Sequence, residues 1–302
     1  MITSEQAANV APMGFTDEEW ETFYRDGIVK LPTKLTDEEI GRLLDAAQES
    51  IDAGPTYDPK KTHRLVQIVE KHPAFTELID HPRHIGYAYD VFGEQIKLMQ
   101  SDMFYRPKGS YQNDWHCDGP RVVPFRTFAP DLPLKMRVGY WLTDQPRDGM
   151  GNFVYVPGSH RDPWAEYPGK GSYPGEQVLT CERGSVFVFS GNIWHRVSTN
   201  DADLTRITLF ITYCPSWVVG YEFPSPGWVS TLNREQRIIV RPYGEDLEAF
   251  TRPPKEDLPL YLDRDTMDEN GPYVSNIEER HKRRRLTLPE RQAWASHSSN
   301  GG

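Results

Sequence analysis

The sequence predicts a mainly β protein with helices flanking a sandwich or barrel. Three observations point there. The first 60 residues carry two capped helical segments, the chain changes near Glu94 to short β-rich segments broken by Gly and Pro, and two long irregular stretches interrupt those segments. Thr16 with Glu19 and Thr36 with Glu39 have capping-box spacing, in which the threonine oxygen takes the N3 amide and the glutamate reaches back, so each opens a helix. The second helix places Ile40, Leu43, Leu44, Ala47 and Ile51 on one apolar face, with Gly54 as its stop. The TDEE tetrad at both caps is no repeat, because the residues after it differ. Strands are expected near 95–106, 135–142, 153–156, 185–190, 193–198 and 205–214. The stretches 119–133 and 158–176, rich in Pro, Gly, Arg and aromatics, are expected to wall a pocket. Beyond residue 222 the chain is polar and Pro-rich, and SHSSNGG at its end reads as a frayed tail.

Composition limits the function classes. The 302 residues hold 34 Lys+Arg against 44 Asp+Glu, a formal charge of −10, which repels polyphosphate backbones. The one basic run, HKRRR at 281–285, is either a contact for nucleic acid or a solvated helix face; the expectation is no nucleic-acid partner. No run approaches the roughly 18 apolar residues of a membrane span, and no secretory leader is legible, so a cytoplasmic protein without a membrane partner is expected. Cys117, Cys181 and Cys214 are odd in number and widely spread, which fits free thiols in the core rather than disulfides.

The nine histidines divide unequally. His63, His72, His81 and His84 lie in polar or Pro-flanked stretches and His281 and His297 in the charged tail, so surface or capping roles are expected of them. His116 lies in DWHCD; in extended chain it shares a face with Asp118 while Cys117 faces away. Such a pair is either a ligand pair or a surface hydrogen bond. Downstream, GSVFVFSGNIWH reads as a strand, a Ser-Gly-Asn turn and a second strand ending in His195, with Arg206 eleven residues on. Two imidazoles and a carboxylate make the facial triad of non-haem Fe(II) oxygenases. An arginine among Ile207, Leu209 and Ile211 needs an anion, supplied by a cosubstrate or by a structural carboxylate.

Taken together these blocks resemble the phytanoyl-CoA dioxygenase family of Fe(II)/2-oxoglutarate-dependent oxygenases over roughly residues 15–220. The likeness rests on Arg25-Asp26-Gly27-Ile28-Val29 after the opening helix, Trp115-His116-Cys117-Asp118, the Pro157-Gly158-Ser159-His160 turn, His195 and Arg206, in that order. It implies a double-stranded β-helix, an open jelly roll. With the changes of pattern near Glu94 and 222, a single oxygenase domain is expected: a largely helical part over 1–93, the core over 94–221 and an extension over 222–302 that has no counterpart in the likeness. It implies that His116, Asp118 and His195 bind Fe(II) and are the catalytic centre, and that Arg206 pairs with the far carboxylate of 2-oxoglutarate, with O2 as the other cosubstrate. Gln100 and Arg64 match positions near the cosubstrate, whereas His160 is expected to be structural or to wall the pocket. GMGN at 149–152 departs from the family's usual Asn-Gly turn. Halogenation is disfavoured, since Asp118 fills the position that halide would need.

The activity implied is oxidation of an unactivated C–H bond of a small-molecule substrate, coupled to conversion of 2-oxoglutarate to succinate. Substrate contacts are expected from Arg121, Phe125, Arg126, Phe128, Arg137, Tyr140, Trp164, Tyr173 and Tyr221, with packing the simpler role for Tyr140. The absence of an evident Lys/Arg cluster for nucleotide phosphate favours a natural-product intermediate over an acyl-CoA. An amino-acid substrate and a non-catalytic metal-binding jelly roll remain alternatives.

Overall fold

The structure is a computed structural model and describes residues 11–54, 57–110, 112–118, 133–161, 171–241 and 276–285. Helix α1 (Asp17–Asp26) starts at Thr16 and α2 (Asp37–Asp52) at Thr36, both with complete capping boxes. Helix α2 buries Ile40, Leu43, Ala46, Ala47 and Ile51, as its periodicity requires. Its stop differs from expectation: Ala53 caps it in right-handed geometry, and the turn closes without a left-handed Gly54.

Six expected strands are present: β3 (Ile96–Arg106), β4 (Met136–Trp141), β5 (Phe153–Tyr155), β7 (Val186–Ser190), β8 (His195–Val197) and β9 (Arg206–Pro215). Three more, β1 (Ile28–Lys30), β2 (His63–Val66) and β6 (Gln177–Val178), are two to four residues long. Period-2 patterning has too few residues to show itself in segments so short. An antiparallel sheet runs in the order β1-β7-β4-β9-β3-β2, and a smaller one in the order β6-β5-β8. The two sheets make the open jelly roll.

Alternation along the strands separates two cores. Met136, Val138 and Tyr140 of β4, Val186 and Val188 of β7, and Leu209, Ile211 and Tyr213 of β9 pack with the helices, including α3 (Pro73–Thr76) and α4 (Ile85–Phe92). Their neighbours Trp141, Phe187, Phe189 and Phe210 point between the sheets and meet Phe153, Leu179 and Ile193. The register of β3 slips between Leu98 and Gln100, a bulge that leaves Leu98 in the helix-side core and brings Gln100 to the interior cavity.

Two blocks of the sequence resemblance meet at Gly27. It caps α1 with φ of +82°, and a Cβ there would stand 2.7 Å from Nδ1 of His160, whose Nε2 bonds the Tyr24 carbonyl. His160 is thus structural. Gly27→Ala combines left-handed strain with that overlap and is expected to cost about 2 kcal/mol, measured by urea unfolding.

Three expectations are corrected. His84 is fully buried rather than superficial, bonding the Tyr213 hydroxyl at 2.7 Å and the hydroxyl of Tyr140. Cys117 is only partly buried, while Cys181 and Cys214 are core thiols. In α5 (Asn276–Arg285), Arg280, just before the basic run, donates to Asp90 at 2.8 Å, and Arg284 within it pairs with Asp17 while lying over Trp20, so the run is in part a packing face. Among the described residues no helix is long and apolar enough to cross a membrane.

Candidate active site

The segment around His116 joins the edge of the small sheet. The backbones of His116 and His195 exchange two hydrogen bonds of 2.9 Å, and the Asp118 amide donates to the Gly191 carbonyl at 2.7 Å. Trp115 fixes the segment from behind, fully buried, with its indole N–H on the Gly171 carbonyl and its ring against Tyr173. Ligand atoms of His116, Asp118 and His195 consequently lie within 4.8 Å of one another. Both imidazoles are oriented alike: Nδ1 of His116 faces the Asp114 carbonyl at 2.8 Å and Nδ1 of His195 the Ile193 carbonyl at 2.9 Å. A proton on each Nδ1 leaves both Nε2 atoms as acceptors for a metal. His195 is 3% exposed and stacks on Phe153; burial, then His116, pulls its imidazole down to about 3, so it is neutral and ready to ligate.

Burial alone would raise the Asp118 carboxyl, but Arg137, followed by His195, Lys135 and His116, holds it well below the carboxylate range. Arg137 donates to Asp118 at 2.8 Å, to Thr212 at 3.2 Å and to buried Asp102 at 3.4 Å, and its guanidinium lies over Phe210. Arg64 completes the chain of charges, donating twice to Asp102 and covering Phe104. His116 and Asp118 open on a cavity of about 810 Å³ lined also by Arg64, Gln100, Phe104, Lys135, Arg137 and Tyr221, among others. Cys117, expected to face away, also borders it, though its thiol reaches the Asn192 carbonyl.

Arg206 is 2% exposed at the start of β9, and its Nε and Nη2 meet no acceptor among the described residues. Thr208, two residues on and facing the same way, also has an unpartnered buried hydroxyl. Among the described residues no carboxylate satisfies this arginine; burial, and then Arg106, lowers its guanidinium to about 9. An orphaned guanidinium beside an orphaned hydroxyl fits the distal carboxylate of a dicarboxylate cosubstrate. The GMGN turn lies alongside, where a Cβ on Gly151 would meet the Arg206 side chain at 3.6 Å.

The family model for phytanoyl-CoA dioxygenase (PhyH) matches residues 23–208. The chain belongs to the phytanoyl-CoA dioxygenase family. It is accordingly a 2-oxoglutarate-dependent oxygenase, with iron as its metal. Among solved structures it is similar to HygX from Streptomyces hygroscopicus with nickel and 2-oxoglutarate bound, at 16% identity and a TM-score of 0.59 over 70% of this chain and 91% of that one. HygX with nickel, 2-oxoglutarate and hygromycin B bound gives 17% and 0.59 over the same shares. The non-heme alpha ketoglutarate dependent carbocyclase SnoK from nogalamycin biosynthesis gives 20% and 0.55 over 72% of this chain and 91% of SnoK. These likenesses concern the fold. No curated protein matches the chain by sequence.

Of the other residues singled out in the sequence, Gln100, Arg64, Arg137 and Tyr221 line the cavity, with Arg64 and Arg137 committed to ion pairs. Tyr140 packs on the helix side and Tyr173 behind Trp115. Arg121, Phe125, Arg126, Phe128 and Trp164 lie outside the described residues, as does His297. Sequence reasoning missed Asp102, Lys135 and Glu222. Asp102 had a signal, two residues beyond Gln100 on the same strand.

Proposed function

We propose that this oxygenase oxidises a C–H bond of a small natural-product molecule, most simply by hydroxylation, with His116, Asp118 and His195 holding Fe(II) and Arg206 holding 2-oxoglutarate. The observation that carries the assignment is the convergence of the three ligand atoms within 4.8 Å of one another, with His116 and Asp118 bordering the cavity. Iron, 2-oxoglutarate and dioxygen together supply the oxidising power, with succinate and carbon dioxide as coproducts. The chain's own residues bind and orient. Each imidazole offers Nε2 because its Nδ1 is occupied by a backbone carbonyl. Arg137 grips one oxygen of Asp118 and limits how that carboxylate can turn. Arg206 fixes the cosubstrate's far end through a charge-assisted contact, while Phe153, Phe189 and Phe210 keep the interior behind the triad dry. Hygromycin B in HygX and the place of SnoK in nogalamycin biosynthesis support a natural-product substrate by likeness.

The test is succinate formation by iron-loaded protein across a metabolite panel. The true substrate should raise succinate release well above the slow substrate-free rate and yield a product heavier by one oxygen. A chain that neither binds 2-oxoglutarate nor converts it under any of these conditions would refute the reading.

A further inference from the structure

The cavity in front of the triad holds one charged group whose role the oxygenase reading does not use. Lys135 is 3% exposed, yet it borders the cavity and sets its ammonium over the face of Tyr221, 4.9 Å from the ring centroid. Its backbone carbonyl accepts from the Gly191 amide at 2.8 Å, which ties it to the Ser-Gly-Asn turn before His195. Its stem crosses that turn so closely that a Cβ on Gly191 would lie 2.7 Å from Cβ and 2.9 Å from Cγ of Lys135. Only glycine lets the stem pass there.

The other charges around the cavity are matched. Arg137 has Asp118, Asp102 and Thr212, and Arg64 has Asp102. Glu222 accepts from the amides of Ser101 and Gln67 and from the Ser101 hydroxyl. Among the described residues no oxygen accepts a hydrogen bond from Lys135. The Tyr221 face is thus its ammonium's only contact shown among the described residues, and a ligand oxygen reaching the cavity would find its N–H donors unpaired. Burial pulls the ammonium down to about 8, against the attraction of Asp118. Lys135 lines this cavity and Arg206 does not, so the two cations are offered to different ligand groups. Val66, Phe104 and Tyr221 supply apolar wall beside it.

Resting on the proposed function, we infer that the substrate is an organic anion with an apolar body, its carboxylate or phenolate held by Lys135 and its body laid along Val66, Phe104 and Tyr221. The rival role for Lys135 is as a fixed counter-charge to Asp118 and Asp102, which would touch no substrate.

The experiment compares 2-naphthoate with its neutral analogue 2-naphthamide, by calorimetry, on full-length protein loaded with Fe(II) in the absence of oxygen. 2-Oxoglutarate is kept saturating so that its own anion site is filled. Wild type should bind the naphthoate at least about tenfold more tightly than the amide. Lys135→Met, which keeps the stem across Gly191, should bring that ratio to about one, while Lys135→Arg should keep a preference for the anion. A wild-type ratio near one, no binding of naphthoate, or a preference that survives in Lys135→Met overturns the inference. Affinity of the wild type for 2-oxoglutarate, measured in the same preparation, is what decides the oxygenase reading, so the two can fail separately.

Discussion

Replacing His116 with alanine is expected to abolish turnover by removing iron, while the fold stays intact. The imidazole is partly exposed and bonds only the Asp114 carbonyl among backbone groups, whereas the pairing with His195 that holds the segment is made by main-chain atoms that alanine also has. Loss of a group that only orients a metal ligand typically costs about 10- to 100-fold in metal affinity, so loss of a direct ligand should exceed about 100-fold. Competition against a chromophoric chelator measures the affinity, and succinate formation measures turnover. The melting temperature of the metal-free variant should match that of the metal-free wild type. A variant that keeps iron and activity would remove His116 from the assignment.

The long strands were legible because each is half of a two-sided sheet. In MRVGYW and RITLFITYC, alternate residues go to the helix-side core and to the interior, which is the period that sequence patterning detects. β1, β2 and β6 are too short for any period. The triad was legible for a related reason: extended chain puts His116 and Asp118 on one face, and the hairpin around Ser190-Gly191-Asn192 returns His195 to them. What could not be read was the ionic chain Arg64–Asp102–Arg137–Asp118. Its members come from β2, β3, β4 and the DWHCD segment, and only the folded pairing, with Arg64 opposite Phe104 on β3, brings them together. His84 was misjudged on the same ground. Its polar neighbours in sequence gave no sign of Tyr140 and Tyr213, which arrive from strands far along the chain.

Arg206→Ala is expected to weaken 2-oxoglutarate binding at least tenfold. A hydrogen bond to a charged group contributes roughly 1.5–3 kcal/mol, and tenfold corresponds to about 1.4 kcal/mol. The effect should also appear as a change in thermal shift. A wild-type protein given cosubstrate at about 100 times its Kd gains about 2.7 kcal/mol of stability, and at that same concentration a tenfold weaker variant gains only about 1.4 kcal/mol. The metal-free, ligand-free protein should behave in the opposite sense. Nε and Nη2 of Arg206 are buried without acceptors among the described residues, so the guanidinium is a burden on the empty fold. Arg206→Met keeps most of the side-chain volume and removes that charge; its ligand-free form should therefore melt no lower than wild type, although it binds 2-oxoglutarate poorly. A structural role would give the reverse pattern, with Arg206→Met melting lower and cosubstrate affinity unchanged. That result would move the cosubstrate's anchor away from β9.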